Sequence, residues 1–287
     1  MMVKIIDGRK IAKEISESLK VKVEDFIKKN KLAPKLAVII VGEEPASLFY
    51  VKMIARSCEK VSIDFEKHNL PGKTSEKELL ELIDNLNEDK KVSGIIVQVP
   101  LPEQINQERI QEAVNPYKDV DCFNPSNMGK LALGKPEFLP CTPYAVYELI
   151  RRENIIVEGK HTVIVGRSNI VGKPMTLILL QKEQYANATL TVCHSRTNDL
   201  SHYTRQADIL IAAVGKPEII KRDMIKEGAV IIDVGTNEVE GKLVGDVAYE
   251  EVLDKASVIT PVPGGVGPIT NVMLMQNTLK AAEKLVN

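Results

Sequence analysis

Apolar and polar positions follow two rhythms along the first hundred residues. From Gly8 to Lys29 the apolar positions recur every three or four residues, with Ile11, Ile15, Leu19 and Phe26 near one face, which predicts an amphipathic helix. LAVIIV (Leu36–Val41) is a continuous apolar run and predicts a buried strand. A second helix is expected over 47–61 and a short strand near Phe65–Leu70. Ser75 with Glu78 has the spacing of a capping box, opening a helix to about Asn87. SGIIVQ (Ser93–Gln98) is another buried strand. Strands alternating with helices predict a parallel sheet covered on both faces.

The second half repeats the rhythm. HTVIVG (His161–Gly166), ATLTVCHS (Ala188–Ser195), ADILIAAVG (Ala207–Gly215) and AVIIDVG (Ala229–Gly235) are strands, each followed by turn residues, as in a nucleotide-binding wound sheet. The expected architecture is α/β with two domains. The first covers 1–140 and recovers the last helix, 270–287; a Rossmann-like doubly wound domain covers 141–269. The boundary lies near PCTPYAVYELI (Pro140–Ile150), where prolines precede a helix.

One stretch of the second helix, SLFYVKMIARSC, holds Ser47, Tyr50, Ile54 and Cys58 on one stripe. Lys52 and Arg56 project from other faces. The pattern alone reads as a packing stripe; a site face there requires further elements around Tyr50.

Composition narrows the function. Lys plus Arg is 38 against 39 for Asp plus Glu, a formal charge of −1, which argues against nucleic acid or an anionic membrane as the main partner. The apolar runs are too short to span a bilayer, and the start, MMVKIIDGRKIAKE, reaches charge too early for a signal peptide. The 4 cysteines are scattered without C-x-x-C, and the 4 histidines lack metal-ligand spacing. No metal site is expected, and reduced thiols in a cytoplasm fit best.

Five segments carry candidate chemistry. VIVGRSNIVGKPM (Val163–Met175) joins a strand to a helix through Gly166 and Gly172, with Ser168 where a dinucleotide fingerprint has its middle glycine. CHSRT (Cys193–Thr197) ends the next strand. Ser195 and Arg196 there, with Arg167 on the glycine turn, suit the 2′-phosphate of NADP, where an acid would suit NAD. TPVPGGVGPIT (Thr260–Thr270) packs three prolines and three glycines into eleven residues and is stiff enough to approach a ligand through its backbone. VQVPLP (Val97–Pro102) sets Gln98 at a strand's carboxyl end, and in KDVDCFNP (Lys118–Pro125) Asp119 and Asp121 are candidates to orient a cationic or amide-bearing ligand.

Together these segments, with PASLFYVK, PCTP and VGDV, resemble the bifunctional methylenetetrahydrofolate dehydrogenase/methenyltetrahydrofolate cyclohydrolase family over essentially the whole chain. The resemblance implies a homodimer that takes tetrahydrofolate derivatives and NADP, the pterin lying in a cleft of the first domain that faces the NADP domain. Its reactions oxidise 5,10-methylenetetrahydrofolate to the methenyl cation and hydrolyse that to 10-formyltetrahydrofolate. By the same resemblance Tyr50, Gln98 and Asp121 are catalytic. Val99, Pro100, Leu101, Pro261, Gly264 and Gly265 join Tyr50 and Asp121 in holding the substrate. Gly166, Arg167, Ser168, Ile170, Val171, Ser195, Arg196 and Thr236 hold the cofactor.

Three positions depart from the family pattern. The catalytic lysine, one turn after the tyrosine, is Ile54; the glycine after the site aspartate is Cys122; and Asn271 replaces a small apolar residue. The expectation is that hydride transfer proceeds while hydrolysis lacks its proton-transfer group. A non-catalytic folate- or nucleotide-binding relative, and a wound-sheet dehydrogenase of small hydroxy or amino acids, are the competing readings. The cofactor turn argues against the first, and the Tyr50, Gln98 and Asp121 set against the second.

Overall fold

The structure, a computed structural model, describes residues 3–286. Met1, Met2 and Asn287, which the expected domain limits include, lie outside the described residues. In chain order the elements are β1 (Lys4–Ile5), α1 (Gly8–Asn30), β2 (Lys35–Val41), α2 (Pro45–Lys60), β3 (Asp64–Leu70), α3 (Glu76–Glu88), β4 (Gly94–Val97), α4 (Gln107–Ala113), α5 (Pro125–Ala132) and α6 (Cys141–Arg152). They continue with β5 (His161–Val165), α7 (Gly172–Leu179), β6 (Thr189–Cys193), α8 (Leu200–Thr204), β7 (Ile209–Ala212), β8 (Val230–Asp233), β9 (Asn237–Val239), β10 (Lys242–Val244), α9 (Tyr249–Val252), β11 (Val258–Ile259) and α10 (Val266–Leu285).

The chain forms two compact units. One is Lys13–Cys141 with the C-terminal residues from Asn271; the other is Thr142–Thr270 with the N-terminal residues through Ala12. In the first unit β3-β2-β4 form a parallel sheet, with Leu36 opposite both Phe65 and Gly94. Leu79, Ile83 and Leu86 recur at helical spacing on α3 and pack on Ala37, Ile39 and Ile95 of the sheet. The capping box is present: Ser75 Oγ accepts from the Glu78 amide, and the Glu78 carboxylate accepts from the Ser75 amide. The C-terminal end of α3 is served by Lys118, whose buried ammonium donates to the carbonyls of Leu86 (2.9 Å) and Asp89 (2.7 Å). α2 starts with Pro45, and Glu44 accepts from the amides of Ala46 and Ser47. Cys58 Sγ lies 3.3 Å from Met275 Sδ, so α2 meets α10.

The second unit carries six parallel strands in the order β1-β11-β8-β7-β5-β6. The chain steps from β5 to β6 on one side and then to β7 on the other, so the winding reverses between β5 and β7. At this switch point wound sheets bind dinucleotides. Two features differ from the sequence reading. Residues 3–12 belong to this unit, because β1 pairs with β11 (Lys4 opposite Val258) as the sheet's edge strand. A hairpin, β9 with β10, was not expected; its turn places Glu240 and Gly241 at positive φ.

Candidate active-site residues

The stripe on α2 is a packing face with Tyr50 at its edge. Ser47, Val51, Ile54 and Cys58 are its buried residues, and Ile54 has no exposed surface. Tyr50 is half-buried beside that stripe. Its phenol lies among the Asp121 carboxylate and the Cys141 thiol; burial, then those two neighbours, drive its pKa far up, so the hydroxyl keeps its proton. Burial likewise pushes the Cys58 thiol up to about 12.

The KDVDCFNP loop separates its two aspartates by task. Asp119, buried, accepts from the amides of Phe123 (3.0 Å) and Asn124 (2.8 Å) and from Asn127 Nδ2 (2.8 Å), so its carboxylate is spent on folding the loop. This corrects the expectation that both aspartates orient a ligand. The loop is registered on the sheet by a parallel bridge between Asp119 and Ile95. Asp121 has the Cys141 thiol as its neighbour instead, while that thiol donates to Val120 O at 3.5 Å. Burial first, and the Asp119 charge second, raise Asp121 to about 6, against the neighbouring thiol that lowers it. Cys122 has φ +62, the left-handed region a glycine adopts freely, and its thiol donates to Phe138 O at 3.3 Å. The sequence reading did not connect Cys141 with this loop: PCTP was visible, but nothing local brings its thiol beside Asp121.

Gln98 follows β4 and continues its ladder, the amide donating to Ile39 O at 2.9 Å. Its side-chain Nε2 donates to Val99 O, and a cis peptide joins Val99 to Pro100. Gln98, Val99 and Leu101 are half-buried and Pro100 is exposed, so this segment sits at the carboxyl end of the sheet with accessible side chains. Tyr50, Ile54, Gln98 to Leu101 and Asp121 all lie in the first unit.

The other candidates lie in the second unit. A Cβ on Gly166 would stand 2.1 Å from Ala213 O, and one on Gly172 would stand 2.2 Å from Gly166 O, so only glycine allows this turn to close against β7 and onto α7. Ser168 fills the place of the fingerprint's middle glycine with a hydroxyl that accepts from the amides of Val171 (3.0 Å) and Gly172 (3.4 Å). Two of the amides expected to face a phosphate are therefore occupied from within. Arg167, Ser168 and Ile170 are exposed and Val171 is half-buried around this turn; Ser195 and Arg196 are exposed after β6, the strand next to β5. Arg196 is held by its amide, which donates to His194 Nδ1 at 3.1 Å. Thr236 is exposed after β8, on the far side of the switch point.

The segment from Thr260 folds back on itself: a Cβ on Gly265 would stand 2.6 Å from Pro261 O. A Cβ on Gly8 would stand 1.8 Å from Gly265 O, so the first turn of α1 abuts this backbone. Gly264 has φ +113, with the Arg9 guanidinium beside it, and Val262–Pro263 is cis. Pro261 and Gly264 are half-buried and Gly265 is buried. Asn271, on α10, has a buried Oδ1 that accepts no hydrogen bond. Among the described residues no group of three or more His, Cys, Asp or Glu could hold a metal ion.

Comparison with known proteins agrees over both units. Residues 6–121 match the model of the tetrahydrofolate dehydrogenase/cyclohydrolase catalytic domain, and residues 140–286 match that family's NAD(P)-binding domain. Bifunctional protein FolD of Acetivibrio thermocellus is 54% identical over 284 residues, covering 99% of this chain and 98% of that protein. The structure of the bifunctional methylenetetrahydrofolate dehydrogenase/cyclohydrolase FolD of Campylobacter jejuni superposes with a TM-score of 0.95 at 48% identity, covering 98% of this chain and 99% of its own. The Trypanosoma brucei enzyme, complexed with NADP cofactor and inhibitor, superposes with a TM-score of 0.94 at 35% identity, covering 100% and 99%. With two family domains that together span nearly every residue, and relatives matched end to end, this chain belongs to the tetrahydrofolate dehydrogenase/cyclohydrolase family.

Proposed function

We propose that this protein is an NADP-dependent methylenetetrahydrofolate dehydrogenase of one-carbon metabolism in which the hydrolytic half of the family's chemistry is crippled. NADP accepts hydride from the methylene carbon; the residues of this chain orient the two partners. Tyr50, protonated and half-buried, offers a ring for stacking and a hydroxyl donor. Asp121, when ionised, accepts from the amino-pyrimidine of the pterin, and Gln98 to Leu101 with Pro261, Gly264 and Gly265 complete the substrate contacts. Gly166, Ser168, Ile170 and Val171 shape the cofactor turn. Arg167, Ser195 and Arg196 take the 2′-phosphate, and Thr236 contacts the cofactor after β8. Holding two rings in register is most of what hydride transfer asks of a protein.

The observation that carries the second half of this reading is Ile54. It stands one helical turn beyond Tyr50, is fully buried, and has no proton to give or take. Water adding to the methenyl cation loses the proton transfer that a lysine supplies, which is typically worth about 10²–10⁴-fold. Neither Lys52, exposed, nor Arg56, exposed, shares that face. The test follows NADPH formation and methenyl decay separately with purified protein, 5,10-methylenetetrahydrofolate and NADP⁺. NADPH with accumulating methenyl product is expected, and methenyl decay far above the buffer rate would overturn the assignment.

The same reading makes the protein a cytoplasmic homodimer acting on free tetrahydrofolate derivatives rather than on nucleic acid or membrane. Charge balance supports free folates over nucleic acid or a membrane surface, 4 free buried cysteines support a reducing compartment, and the dimer rests on the family resemblance. Light scattering checks the dimer: a mass near 31.8 kDa at micromolar concentration rejects it.

A further inference from the structure

Two buried aspartates in the second unit lack a cationic partner and yet gather three or four hydrogen bonds each on their carboxylates. Asp246, 0% exposed, accepts from the consecutive amides of Val214 (2.5 Å), Gly215 (3.0 Å) and Lys216 (3.0 Å) and from Asn237 Nδ2 (2.9 Å). Asp233, 3% exposed, accepts from the amides of Gly235 (2.9 Å), Asp246 (3.0 Å) and Val247 (2.9 Å), and its own amide donates to Thr260 Oγ1 (2.8 Å). Two glycines make room: a Cβ on Gly235 would stand 2.3 Å from Asp246 Oδ1, and one on Gly245 would stand 1.9 Å from Asp233 Oδ2.

The segments they tie together are the loops that leave the carboxyl ends of β7, β8 and β11. These lie on one side of the switch point between β5 and β7. The candidates for the adenosine 2′-phosphate, Arg167, Ser195 and Arg196, follow β5 and β6, on the other side. A dinucleotide anchored there reaches its nicotinamide by crossing toward β7 and β8. Gly166 already touches Ala213, the residue just before the three amides that Asp246 holds. Only a carboxylate carries enough acceptor sites, on one short side chain, to hold three successive amides and an amide side chain at once. Burying two carboxylates side by side is costly, and that cost falls on a place where loop position matters to the ligand.

We propose that Asp246, braced by Asp233, is a positioning residue for the nicotinamide half of the cofactor: it fixes the loops after β7 and β8, and through Thr260 the start of the Pro261–Gly265 segment, as one rigid rim. The proposal rests on the dehydrogenase reading and adds a residue pair to it. Neither aspartate touches the reacting atoms; each acts through the backbone it holds.

The test compares Asp246→Asn with the unaltered protein in two binding measurements and one rate. 2′,5′-ADP probes the adenosine end alone, and its affinity is expected to change less than about 2-fold. The rise in nicotinamide fluorescence when NADPH binds reports the other half, and is expected to fall by more than half. NADPH formation at saturating NADP⁺ is expected to drop at least 10-fold. Thr260→Val, which keeps the shape and removes one link, provides a milder variant, with a smaller rate loss in the same direction. An Asp246→Asn protein with unchanged fluorescence and rate overturns the proposal. So does parallel loss of 2′,5′-ADP affinity, which makes the pair a general support of the fold, and so does an unaltered protein whose NADPH shows no fluorescence change. Failure of the unaltered protein to form NADPH at all counts against the dehydrogenase reading, while the fluorescence comparison still decides the positioning role.

Discussion

The Cys141 thiol, which donates to Val120 O at 3.5 Å, neighbours the Asp121 carboxylate and is the main counterweight to a burial that raises the acid to about 6. Asp121 must be ionised to accept from the pterin, so activity is expected to fall as the pH drops through about 6. Cys141→Ala removes the neighbour that lowers this pKa and shifts the acid limb of kcat/KM toward higher pH; Cys141→Ser, with a stronger donor, leaves it in place or moves it down. Superimposable pH profiles for the three proteins would contradict this assignment.

Ile54 invites the converse experiment. A lysine placed at this buried position has its pKa lowered by desolvation, the state in which an amine moves protons near neutral pH. Ile54→Lys is expected to raise methenyl hydrolysis by about 10²–10⁴-fold. It should also lower the melting temperature, because a methyl-lined position receives an amine. A folded variant, verified by circular dichroism, with no gain in methenyl decay would sink the idea.

Arg167 is expected to discriminate between cofactors. A charge-assisted hydrogen bond to phosphate contributes about 1.5–3 kcal/mol, roughly 10- to 150-fold. Arg167→Ala should lower kcat/KM for NADP⁺ by that factor and change NAD⁺ little. Equal efficiency with both cofactors in the unaltered enzyme would refute the 2′-phosphate assignment.

Asp233 gives a pH dependence of stability with a definite sign. Burial first, with a contribution from the Asp246 charge, raises its pKa from an unfolded value of about 3.9 to about 7, against the amide bonds that lower it. A raised folded pKa contributes stability that is complete below the unfolded pKa and is lost as pH climbs through about 7. The groups facing Asp233 are the Asp246 carboxylate and the amides of Gly235, Asp246 and Val247. Asp233→Asn abolishes this titration, so its melting temperature relative to the unaltered protein should climb between pH 4 and 7 and level off above. Differential scanning fluorimetry across that range checks it, and a constant offset would be fatal.

Much of this molecule is legible one segment at a time. Gly8–Lys29, the Ser75–Glu78 box and the strand LAVIIV are local: a helical repeat, a reciprocal side-chain cap and a run of β-branched residues need no distant partner. Gly166 and Gly172 read as a cofactor turn because backbone contact there leaves no room for a Cβ. Ile54 and Cys122 stood out as departures because the motifs around them are so specific. Other features depend on pairing across long stretches of chain. β1 is two residues long and acquires its identity from β11, more than two hundred residues away. Ser47, Tyr50, Ile54 and Cys58 share a helical stripe, but Val51 is buried where Tyr50 is half-exposed, because helix period gives a face and packing gives its edge. Asp119 and Asp121 are near twins in sequence. They part because the chain turns back at Phe123 and Asn124, bringing amides to one carboxylate, while Cys141 brings a thiol to the other. A carboxylate's role follows from the donors the folded backbone delivers to it, and those donors are not its sequence neighbours.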